Sequence, residues 1–509
     1  MFTLKNNIKI IHLACFASLL NLLLFHIPFF RFVFQNLDYA SLNGVLIVVS
    51  LIILVFLLNA FVFYLLFFIS PLAGKILLSL FWILNALSVY FVFTYGVIID
   101  ESMISNVFNT NYEESSSFLS ITMLFYVLLL GALPAFWLFR LKTERPSWKR
   151  FAITIGLGFL TIIILVFANA RNWLWIDKHS KSLGGLAMPW SYAVNTYLHF
   201  LHENQKNKKE ILLPNATITD SSKSVMVLVI GESARSQNFS LYGYAKNTNP
   251  LLSQTKNLYH FPATSCATYT TAGLKCILEH EATDELYEIL PNYLYRNQVD
   301  VIWRSTNWGE PPIHIKNVLN KNALQQQCQG DTCEYDEILL KGLREQIAAS
   351  PKNKILVVLH TSTSHGPTYS KKYPPRFETF KPVCNSVELG NCSETELINA
   401  YDNTIVYTDY LLHRVIEELR QLPQYNSCML FVSDHGESLG EKNLYMHGVP
   451  LSMAPKEQYE IPFLVWLSDS NSKQLKILPE LSQNHVFHSV LKFLDVQSPI
   501  YKEPMSIFK

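Results

Sequence analysis

The segment SDHGESLGE, residues 433–441, places an aspartate beside a histidine directly after an apolar run. Asp434 and His435 are adjacent in a glycine-containing turn, so both side chains can reach one ion. A carboxylate with an imidazole suits zinc, and a catalytic zinc keeps one position open. Glu232, which ends another apolar run, SVMVLVIGES, would supply a further oxygen. Alone, Glu232 is explained equally well as a helix cap, but together the three residues indicate a metal site.

A run of hydroxyl side chains lies between two cysteines in TSCATYTTAGLKC, residues 264–276. Zinc lowers the pKa of a bound oxygen acid by many units, so a threonine beside it can act as a nucleophile at neutral pH. TAGLKC predicts a helical turn, whose backbone N–H groups would attract an anionic phosphoryl group. The simplest alternative is a polar turn tied by a disulfide. Spacing alone does not distinguish Thr268, Thr270 and Thr271 as the nucleophile.

Two further histidines lie in glycine-containing turns, His365 in SHGP and His447 in MHGV. We expect them to bind a second metal ion or the phosphate of a substrate. A single histidine near a turn is usually only solvated or hydrogen-bonded, and this is the interpretation we favour for His260, His280, His314 and His413.

Five apolar runs in the C-terminal part predict buried strands, each followed by polar residues: SVMVLVIGES, VDVIWRSTN, NKILVVLHTSTSHGP, CMLFVSDHGES and IPFLVWLSD. Because helical patterns lie between these runs, they indicate an α/β domain with a mainly parallel sheet covered on both faces. Ligand sites in such sheets collect at the carboxyl ends of the strands. The residues just past the predicted strand ends are Glu232, Asn307, His360, His365, Asp434 and His435.

The N-terminal third is apolar enough to cross a membrane. The chain of 509 residues is 50% hydrophobic and 16% charged, which is too apolar for an ordinary soluble enzyme. Its net charge of +1 gives no electrostatic reason to expect nucleic-acid binding. A spanning helix takes about 20 apolar residues, and five segments qualify: Ile8–Pro28, Gly44–Ser70, Ile76–Ile98, Phe118–Phe139 and Phe151–Ala170.

Basic residues indicate how these segments are oriented. Lysines and arginines lie before the first segment, between the second and third, and between the fourth and fifth. The loop between the third and fourth segments is acidic and has no basic residue. Because basic loops stay cytoplasmic, we expect the N-terminus inside and everything after Ala170 outside. We therefore predict a five-helix transmembrane domain (1–170), an interfacial helix and linker (171–223), and an extracytoplasmic catalytic domain (224–509).

The cysteines support an oxidising compartment. Six of the eight form close pairs in the C-terminal part, which predicts three disulfides: Cys266–Cys276, Cys328–Cys333 and Cys384–Cys392. Cys15 lies in a predicted span, and Cys428 lies in an apolar run as a buried free thiol.

These motifs in combination resemble the phosphoethanolamine transferases of Gram-negative inner membranes: five spans, GESAR followed by NFSLYGYAKNTNP, the hydroxyl loop between cysteines, SHGP, and SDHGESLGE followed by YMHG. The resemblance covers essentially the whole chain and implies a periplasmic domain with the alkaline-phosphatase/sulfatase-like fold. It implies one zinc ion bound by Glu232, Thr270, Asp434 and His435, with Thr270 as the nucleophile. The family's additional histidines, which are linked to a second zinc ion or to substrate binding, correspond to His365 and His447.

The resemblance also implies the substrates. The acidic loop MISNVFNTNYEES resembles the family's segment that contacts the lipid donor, at Asn106, Thr110 and Glu114, and Asn307 is a fourth donor-binding candidate. The donor is phosphatidylethanolamine, and the group passes through a covalent threonine intermediate to an acceptor. Lipid A is the leading acceptor; a core-oligosaccharide sugar, a surface glycan and a protein threonine are the others. We expect a monomer in the inner membrane, with no nucleic-acid partner.

Three other functions fit parts of the pattern. A phosphoglycerol transferase of the same fold would use phosphatidylglycerol; the acidic Glu114 favours a cationic ethanolamine head group instead. A sulfatase is disfavoured because CATYT lacks the Cys-x-Pro-x-Arg pattern that matures to formylglycine. The third is a non-catalytic membrane receptor or assembly factor, which the intact set Glu232, Thr270, Asp434 and His435 argues against.

Overall fold

The computed structural model describes residues 7–37, 41–110, 112–168, 175–176, 179–206, 210–283, 285–328, 330–386, 389–469 and 471–509. The chain divides into two compact units, Met1–His202 and Glu203–Lys509. The three-part division expected from the sequence stays a prediction.

The first unit is helical. Its helices are α1 Ile10–Phe25, α2 Ile27–Asn36, α3 Leu42–Ile69, α4 Pro71–Tyr95, α5 Glu101–Asn109, α6 Tyr112–Ser117, α7 Ile121–Arg140, α8 Trp148–Ala168, α9 Ser180–Leu186 and α10 Trp190–Lys206. Within the described residues α3, α4, α7 and α8 are long and apolar enough to cross a membrane. Helices α1 and α2 make a fifth span if the pair is counted as one, since a 60° bend separates them. Pro28, at the start of α2, lacks the N–H needed to continue α1. These four candidate spans, or five with the bent pair, agree with the membrane domain that the sequence predicts.

A buried hydrogen-bond network joins two of these spans to the segment around α10. The Asn85 amide donates to Asn21 Oδ1 (2.7 Å), and the Asn21 amide donates to the carbonyl of Met188 (2.9 Å). The Tyr192 hydroxyl donates to Asn85 Oδ1 (3.0 Å). Polar groups in apolar surroundings need such partners. The network therefore fixes the start of α10 against α1 and α4.

The second unit is built on an eight-stranded sheet. In chain order its strands are β1 Ser224–Gly231, β2 Leu258–Thr264, β3 Asp300–Ser305, β4 Asn317–Leu319, β5 Lys354–His360, β6 Asn426–Ser433, β7 Glu460–Leu467 and β8 Leu481–Ser482. Their order across the sheet is β8-β2-β7-β6-β1-β5-β3-β4, and only β7 runs antiparallel to its neighbours. The five strands predicted from the sequence are all present, and the mainly parallel sheet is confirmed.

Helices cover the sheet and complete its core. They are α11 Thr270–Leu278, α12 Leu290–Arg296, α13 Lys321–Gln326, α14 Leu343–Ala348, α15 Glu394–Arg420 and α16 His485–Phe493. All eight residues of β1 are buried, as expected for a central strand covered on both faces. The long α15 begins with a capping box in which Ser393 and Glu396 satisfy each other's backbone N–H groups.

The register of the central strands aligns their carboxyl ends. Gly231, the last residue of β1, pairs with Ser433 at the end of β6. His360, at the end of β5, pairs with Ser305 at the end of β3. The residues that follow these positions therefore share one edge of the sheet.

The cysteine predictions hold in the second unit. The structure contains three disulfides: Cys266–Cys276, Cys328–Cys333 and Cys384–Cys392. Cys428 is free and buried in β6.

Candidate active site

Three side chains at the carboxyl edge of the sheet form a buried cluster. Glu232 follows β1, and Asp434 and His435 follow β6. Nε2 of His435 lies 3.5 Å from Glu232 Oε1 and 3.4 Å from Asp434 Oδ2. All three residues are almost completely shielded from solvent. The adjacency of β1 and β6 thus brings together two segments that are about 200 positions apart in the chain.

The conformation of the turn after β1 orients the side chain of Glu232. Ser233 adopts a left-handed backbone conformation (φ 52°), which is unusual for a residue other than glycine. Its hydroxyl donates to Glu232 Oε1 (2.6 Å), and its N–H donates to Asp434 Oδ1 (3.0 Å). The buried Tyr401 hydroxyl donates to the Ser233 carbonyl (2.7 Å). These bonds hold the strained turn in place and orient both carboxylates.

The Asp434–His435 turn fixes the imidazole. Nδ1 of His435 lies 2.8 Å from the Gly436 carbonyl oxygen, which accepts its proton. This tautomer leaves the lone pair on Nε2 directed at the carboxylates. A side chain at position 436 could not be accommodated, because its Cβ would lie 2.1 Å from the carbonyl oxygen of Glu457.

Thr270 is the hydroxyl that reaches the cluster. It is the first residue of α11, and its Oγ1 lies 3.3 Å from His435 Nε2 and 3.4 Å from Glu232 Oε2. Thr268 is engaged elsewhere, since its hydroxyl donates to the Val449 carbonyl (2.6 Å). The helix predicted from TAGLKC is present. The hydrogen bonds distinguish Thr270, which reaches the cluster, from Thr268, which does not bond to it.

Helix α11 packs directly on the turn that carries the metal-binding candidates. A Cβ at Gly273 would lie 2.2 Å from the Asp434 carbonyl oxygen, so only glycine permits this approach. The Cys266–Cys276 disulfide joins the loop before the helix to the end of its second turn. Both features limit how far Thr270 can move from the cluster.

The ionisation of the cluster fits a bound cation. Burial and the neighbouring Glu232 carboxylate raise the pKa of Asp434 well above its ordinary value. Burial opposes ionisation of Glu232 as well, but His365, His435 and His447 lower its pKa below its ordinary value. Burial and His447 lower the pKa of His435 to about 3, which leaves the neutral imidazole that a metal requires.

One carboxylate oxygen of this cluster also lacks a hydrogen-bond donor. Asp434 Oδ2 is buried and accepts no hydrogen bond from the described part of the chain. Such an orphaned acceptor is costly unless a cation satisfies it. Two carboxylate oxygens, an imidazole nitrogen and a hydroxyl oxygen are a donor set that suits zinc.

His447 lies beside the cluster and His365 lies beyond it. Ligand atoms of Glu232, His435 and His447 all lie within 4.8 Å of one another, and the rings of His435 and His447 are 4.2 Å apart. The ring of His365 is 5.6 Å from that of His447. Nδ1 of His447 lies 3.0 Å from Oε2 of the buried Glu437. Two histidines from turns distant in the sequence therefore lie close to each other, and His447 also lies close to His435. Their role stays a prediction.

Asn307 contacts the cluster through an amide. Its Nδ2 donates to Glu232 Oε2 (2.6 Å) and to the Thr361 carbonyl (3.0 Å). The structure thus brings Asn307 to the site predicted from its strand-end position. Its proposed contact with the lipid donor stays a prediction.

The other donor-binding candidates belong to the first unit. Asn106 lies in α5, and its carbonyl accepts from the N–H (2.8 Å) and hydroxyl (2.7 Å) of Thr110. Glu114 lies in α6, and its side chain is outside the described residues. Their proposed role stays a prediction.

The sequence did not predict the residues that hydrogen-bond to the cluster and orient its side chains. Ser233 was part of the quoted GESAR motif, but its two hydrogen bonds follow from a turn conformation that the sequence does not reveal. Glu437 is fully buried, and its Oε2 lies 3.0 Å from Nδ1 of His447. Its position two residues after His435 was the available signal.

The chain matches two protein families in succession. Residues 54–203 match the family described as Phosphoethanolamine transferase EptA/EptB, and residues 224–496 match the family described as Sulfatase. The phosphoethanolamine transferase EptA of Helicobacter pylori is 40% identical over 516 residues, covering 97% of this chain and 95% of the relative.

Two solved structures share the fold. The integral membrane protein lipooligosaccharide phosphoethanolamine transferase A (EptA) from Neisseria meningitidis is 25% identical, with a TM-score of 0.88 over 99% of both chains. The C-terminal periplasmic domain of phosphoethanolamine transferase EptC from Campylobacter jejuni is 33% identical, with a TM-score of 0.52 over 59% of this chain and 97% of that domain. The predicted arrangement of membrane helices followed by an alkaline-phosphatase/sulfatase-like domain is confirmed.

Proposed function

The chain belongs to the phosphoethanolamine transferase family, and from this premise we propose that it transfers phosphoethanolamine from phosphatidylethanolamine to lipid A through a covalent intermediate on Thr270. The transferase class rules out the non-catalytic alternative. The observation that carries the proposal is the position of the Thr270 hydroxyl, 3.3 Å from His435 Nε2 and 3.4 Å from Glu232 Oε2 at the start of α11.

Zinc is the metal that the donor set favours. Glu232, Asp434, His435 and Thr270 would hold the ion, and His447 is close enough to join a second site with His365. When bound, zinc supplies positive charge that favours loss of the Thr270 proton and offsets the charge of the reacting phosphoryl group. All other contributions come from the chain itself.

In the first step the Thr270 oxygen attacks the phosphorus of the donor. A bond forms between Oγ1 and phosphorus, and the bond between phosphorus and the glycerol oxygen breaks. Diacylglycerol leaves and takes up one proton, which balances the proton lost by the threonine. Thr270 begins α11, so the free N–H groups of that helix attract the phosphoryl oxygens. Holding the nucleophile in place supplies much of the rate.

In the second step an oxygen of the acceptor attacks the same phosphorus. The bond between phosphorus and Thr270 breaks, and the threonine regains a proton as the acceptor oxygen loses one. We propose that His365 and His447, whose rings lie 5.6 Å apart, contact the phosphoryl oxygens in both steps. Asn307, which donates to Glu232, keeps that carboxylate oriented throughout.

The acceptor is proposed from the relatives. The similar Neisseria meningitidis protein is named as a lipooligosaccharide phosphoethanolamine transferase, and a similar Escherichia coli protein is named as a Kdo(2)-lipid A phosphoethanolamine transferase. The spans of the first unit fit this assignment, since they keep the enzyme in the membrane that holds its lipid donor. A core sugar, a surface glycan or a protein threonine would give modified products of different mass.

The location and topology follow from charge and cysteine chemistry. We propose an inner-membrane enzyme with a cytoplasmic N-terminus, a transmembrane part at 1–170, an interfacial segment at 171–223 and a periplasmic catalytic domain at 224–509. The acidic loop between the third and fourth spans and the basic residues between the fourth and fifth support this orientation. Three disulfides support an oxidising compartment for the second unit. We expect a monomer.

The test compares lipid A from Gram-negative cells with and without the protein by mass spectrometry. Cells expressing the protein should gain phosphoethanolamine on lipid A, and cells expressing Thr270→Ala should not. Supplying the purified enzyme with head-group-labelled phosphatidylethanolamine or phosphatidylglycerol separates the two donors. Transfer from phosphatidylglycerol alone, or full transfer by Thr270→Ala, would contradict the proposal.

A further inference from the structure

We propose that Gln483 is a positioning residue that fixes the distance between the nucleophile loop and the metal-binding turn. This inference rests on the proposed function, because it concerns how Thr270 is held for attack. Gln483 follows the short strand β8 and is completely buried. Its side-chain hydrogen bonds go to backbone groups of other residues, and nothing in the sequence motifs singles it out.

The side chain of Gln483 bridges two segments. Its Nε2 donates to the carbonyl oxygens of Ser433 (2.9 Å) and Asp434 (2.6 Å), at the end of β6. Its Oε1 accepts from the N–H of Cys266 (3.1 Å), at the start of the hydroxyl loop. Both amide hydrogens and one oxygen lone pair are therefore used. Only this orientation of the amide satisfies two carbonyls and one N–H at once.

Two of these bonds supply a donor to the carbonyl oxygens of fully buried residues, Ser433 and Asp434. Helix α11 approaches the Asp434 carbonyl through Gly273, whose own N–H bonds to Tyr269 within its helix. Gly273 therefore brings no donor to that oxygen. A buried carbonyl without a donor is costly, so Gln483 is what makes the close approach stable.

The bridge has a direct consequence for the nucleophile. Cys266 lies four residues before Thr270, and Asp434 lies one residue before His435. Gln483 thus connects the backbone on both sides of the 3.3 Å separation between Thr270 Oγ1 and His435 Nε2. The disulfide ties the same loop to α11, but it does not tie the loop to β6. Gln483 links the loop to the end of β6.

The test is the nearly isosteric substitution Gln483→Glu in the full-length protein. The glutamate can still accept from Cys266, but as a carboxylate it cannot donate to the two carbonyls and would repel them. We expect kcat for transfer from phosphatidylethanolamine to fall about 10-fold to 100-fold, because small misplacements of a nucleophile have large effects on rate. The KM for the donor and the zinc content should stay within about twofold of the wild type, since no contact with substrate or metal ligand side chain is removed.

A second variant, Gln483→Met, removes the hydrogen bonds without adding a charge. It fills the same space, and we expect a similar fall in kcat with unchanged KM. The matched control is Asn403→Asp in α15, because Asn403 is an equally buried amide that bonds to the N–H and the carbonyl of Phe380. This control should lower the melting temperature but leave kcat per folded molecule unchanged.

Four results would overturn the positioning role. Either Gln483 variant could keep the wild-type kcat, or Asn403→Asp could lower kcat by as much. Both Gln483 variants could fail to fold while the control folds. Both variants could lose zinc, which would make Gln483 a residue that stabilises the metal site. If the wild-type protein itself showed no transfer, the proposed function would fail instead, which keeps the two claims distinguishable.

Discussion

The hydroxyl oxygen of Thr270 lies 3.3 Å from Nε2 of His435, although the two residues are 165 positions apart in the chain. Two parts of the fold create this contact. His435 follows the end of β6 and so lies at the carboxyl edge of the sheet. Thr270 is the first residue of α11, which packs against the turn after β6. The glycine at position 273 allows the two elements to touch.

Removing the Asp434 carboxylate should remove the metal. We expect Asp434→Asn to lose bound zinc and to lower transfer by more than about 100-fold, because even changes outside the ligand set cost 10-fold to 100-fold in metal affinity or activity. Elemental analysis of the purified protein, alongside the activity assay, measures both. Asp409→Asn, another buried aspartate, should keep its zinc. An active Asp434→Asn protein without metal would refute the zinc role.

The chelated wild-type protein should be less stable than the zinc-bound one. Without a cation, burial and the neighbouring Glu232 carboxylate oppose ionisation of Asp434. A ligand that binds only the folded state raises its stability by mass action. Chelation should therefore lower the melting temperature of the second unit, and added zinc should restore it. An unchanged melting temperature would argue against a metal at this site.

Gly273→Ala should separate the nucleophile helix from the metal-binding turn. The new Cβ would lie 2.2 Å from the Asp434 carbonyl oxygen, and both sides of that contact are backbone. We expect a destabilisation of about 1–3 kcal/mol, the usual effect of overpacking, and a loss of most activity. Gly184→Ala, in α9, is the control because nothing lies within 4 Å of its Cβ position. Equal stability and activity of the Gly273→Ala and Gly184→Ala variants would contradict the close packing of α11 on the Asp434 turn.

The Cys266–Cys276 disulfide should matter more for activity than the other two. Replacing both cysteines by serine frees the hydroxyl loop from α11 and lets Thr270 drift from the cluster. Removing a native disulfide typically costs about 2–5 kcal/mol in small secreted domains. The same replacement at Cys384 and Cys392 should affect stability without lowering kcat. Equal kcat losses in the two double variants would show that the loop needs no such restraint.

The buried Asp409 should make stability depend on pH. Burial raises the pKa of Asp409 to about 7, against the lowering effect of the N–H groups of Leu251 and Leu252. Between about pH 4 and about pH 7 the unfolded chain therefore binds fewer protons there than the folded chain. The free energy of unfolding should fall as the pH rises through this window, by up to about 1.4 kcal/mol per pH unit.

Substituting Asp409→Asn removes this contribution. Thermal unfolding of the full-length protein in detergent should then show a smaller decrease in melting temperature from about pH 4 to about pH 7 than the wild type shows. Parallel profiles for the two proteins would mean that Asp409 ionises normally in the folded state.

Much of the framework could be predicted from sequence because it depends on local patterns. Long apolar runs predict spans, and β-branched runs that end in polar residues predict the strands that bring Glu232 and Asp434 together. The choice among threonines could not be made in this way, since it depends on the fold: Thr268 bonds to the Val449 carbonyl, whereas Thr270 begins α11 and reaches His435. That choice depends on how α11 packs, which no local pattern encodes.

The roles of Gln483 and Ser233, which orient the site residues through hydrogen bonds, could not be predicted from the sequence. Gln483 is a single glutamine after a two-residue strand, and its importance comes from carbonyls of Ser433 and Asp434 that lie about 50 positions away. Ser233 acts through a backbone conformation that is rare for serine. Such roles follow from which buried groups lack partners, and only the folded structure shows those groups.

The most direct measurement of the central claim is mass spectrometry of the wild-type protein after incubation with phosphatidylethanolamine and no acceptor. The account predicts one added phosphoethanolamine group on the peptide that contains Thr270, and its loss when acceptor is added. Thr270→Ala should give no adduct, whereas Thr268→Ala should still give one. An adduct on another residue, or turnover without any adduct in the wild type, would contradict the account.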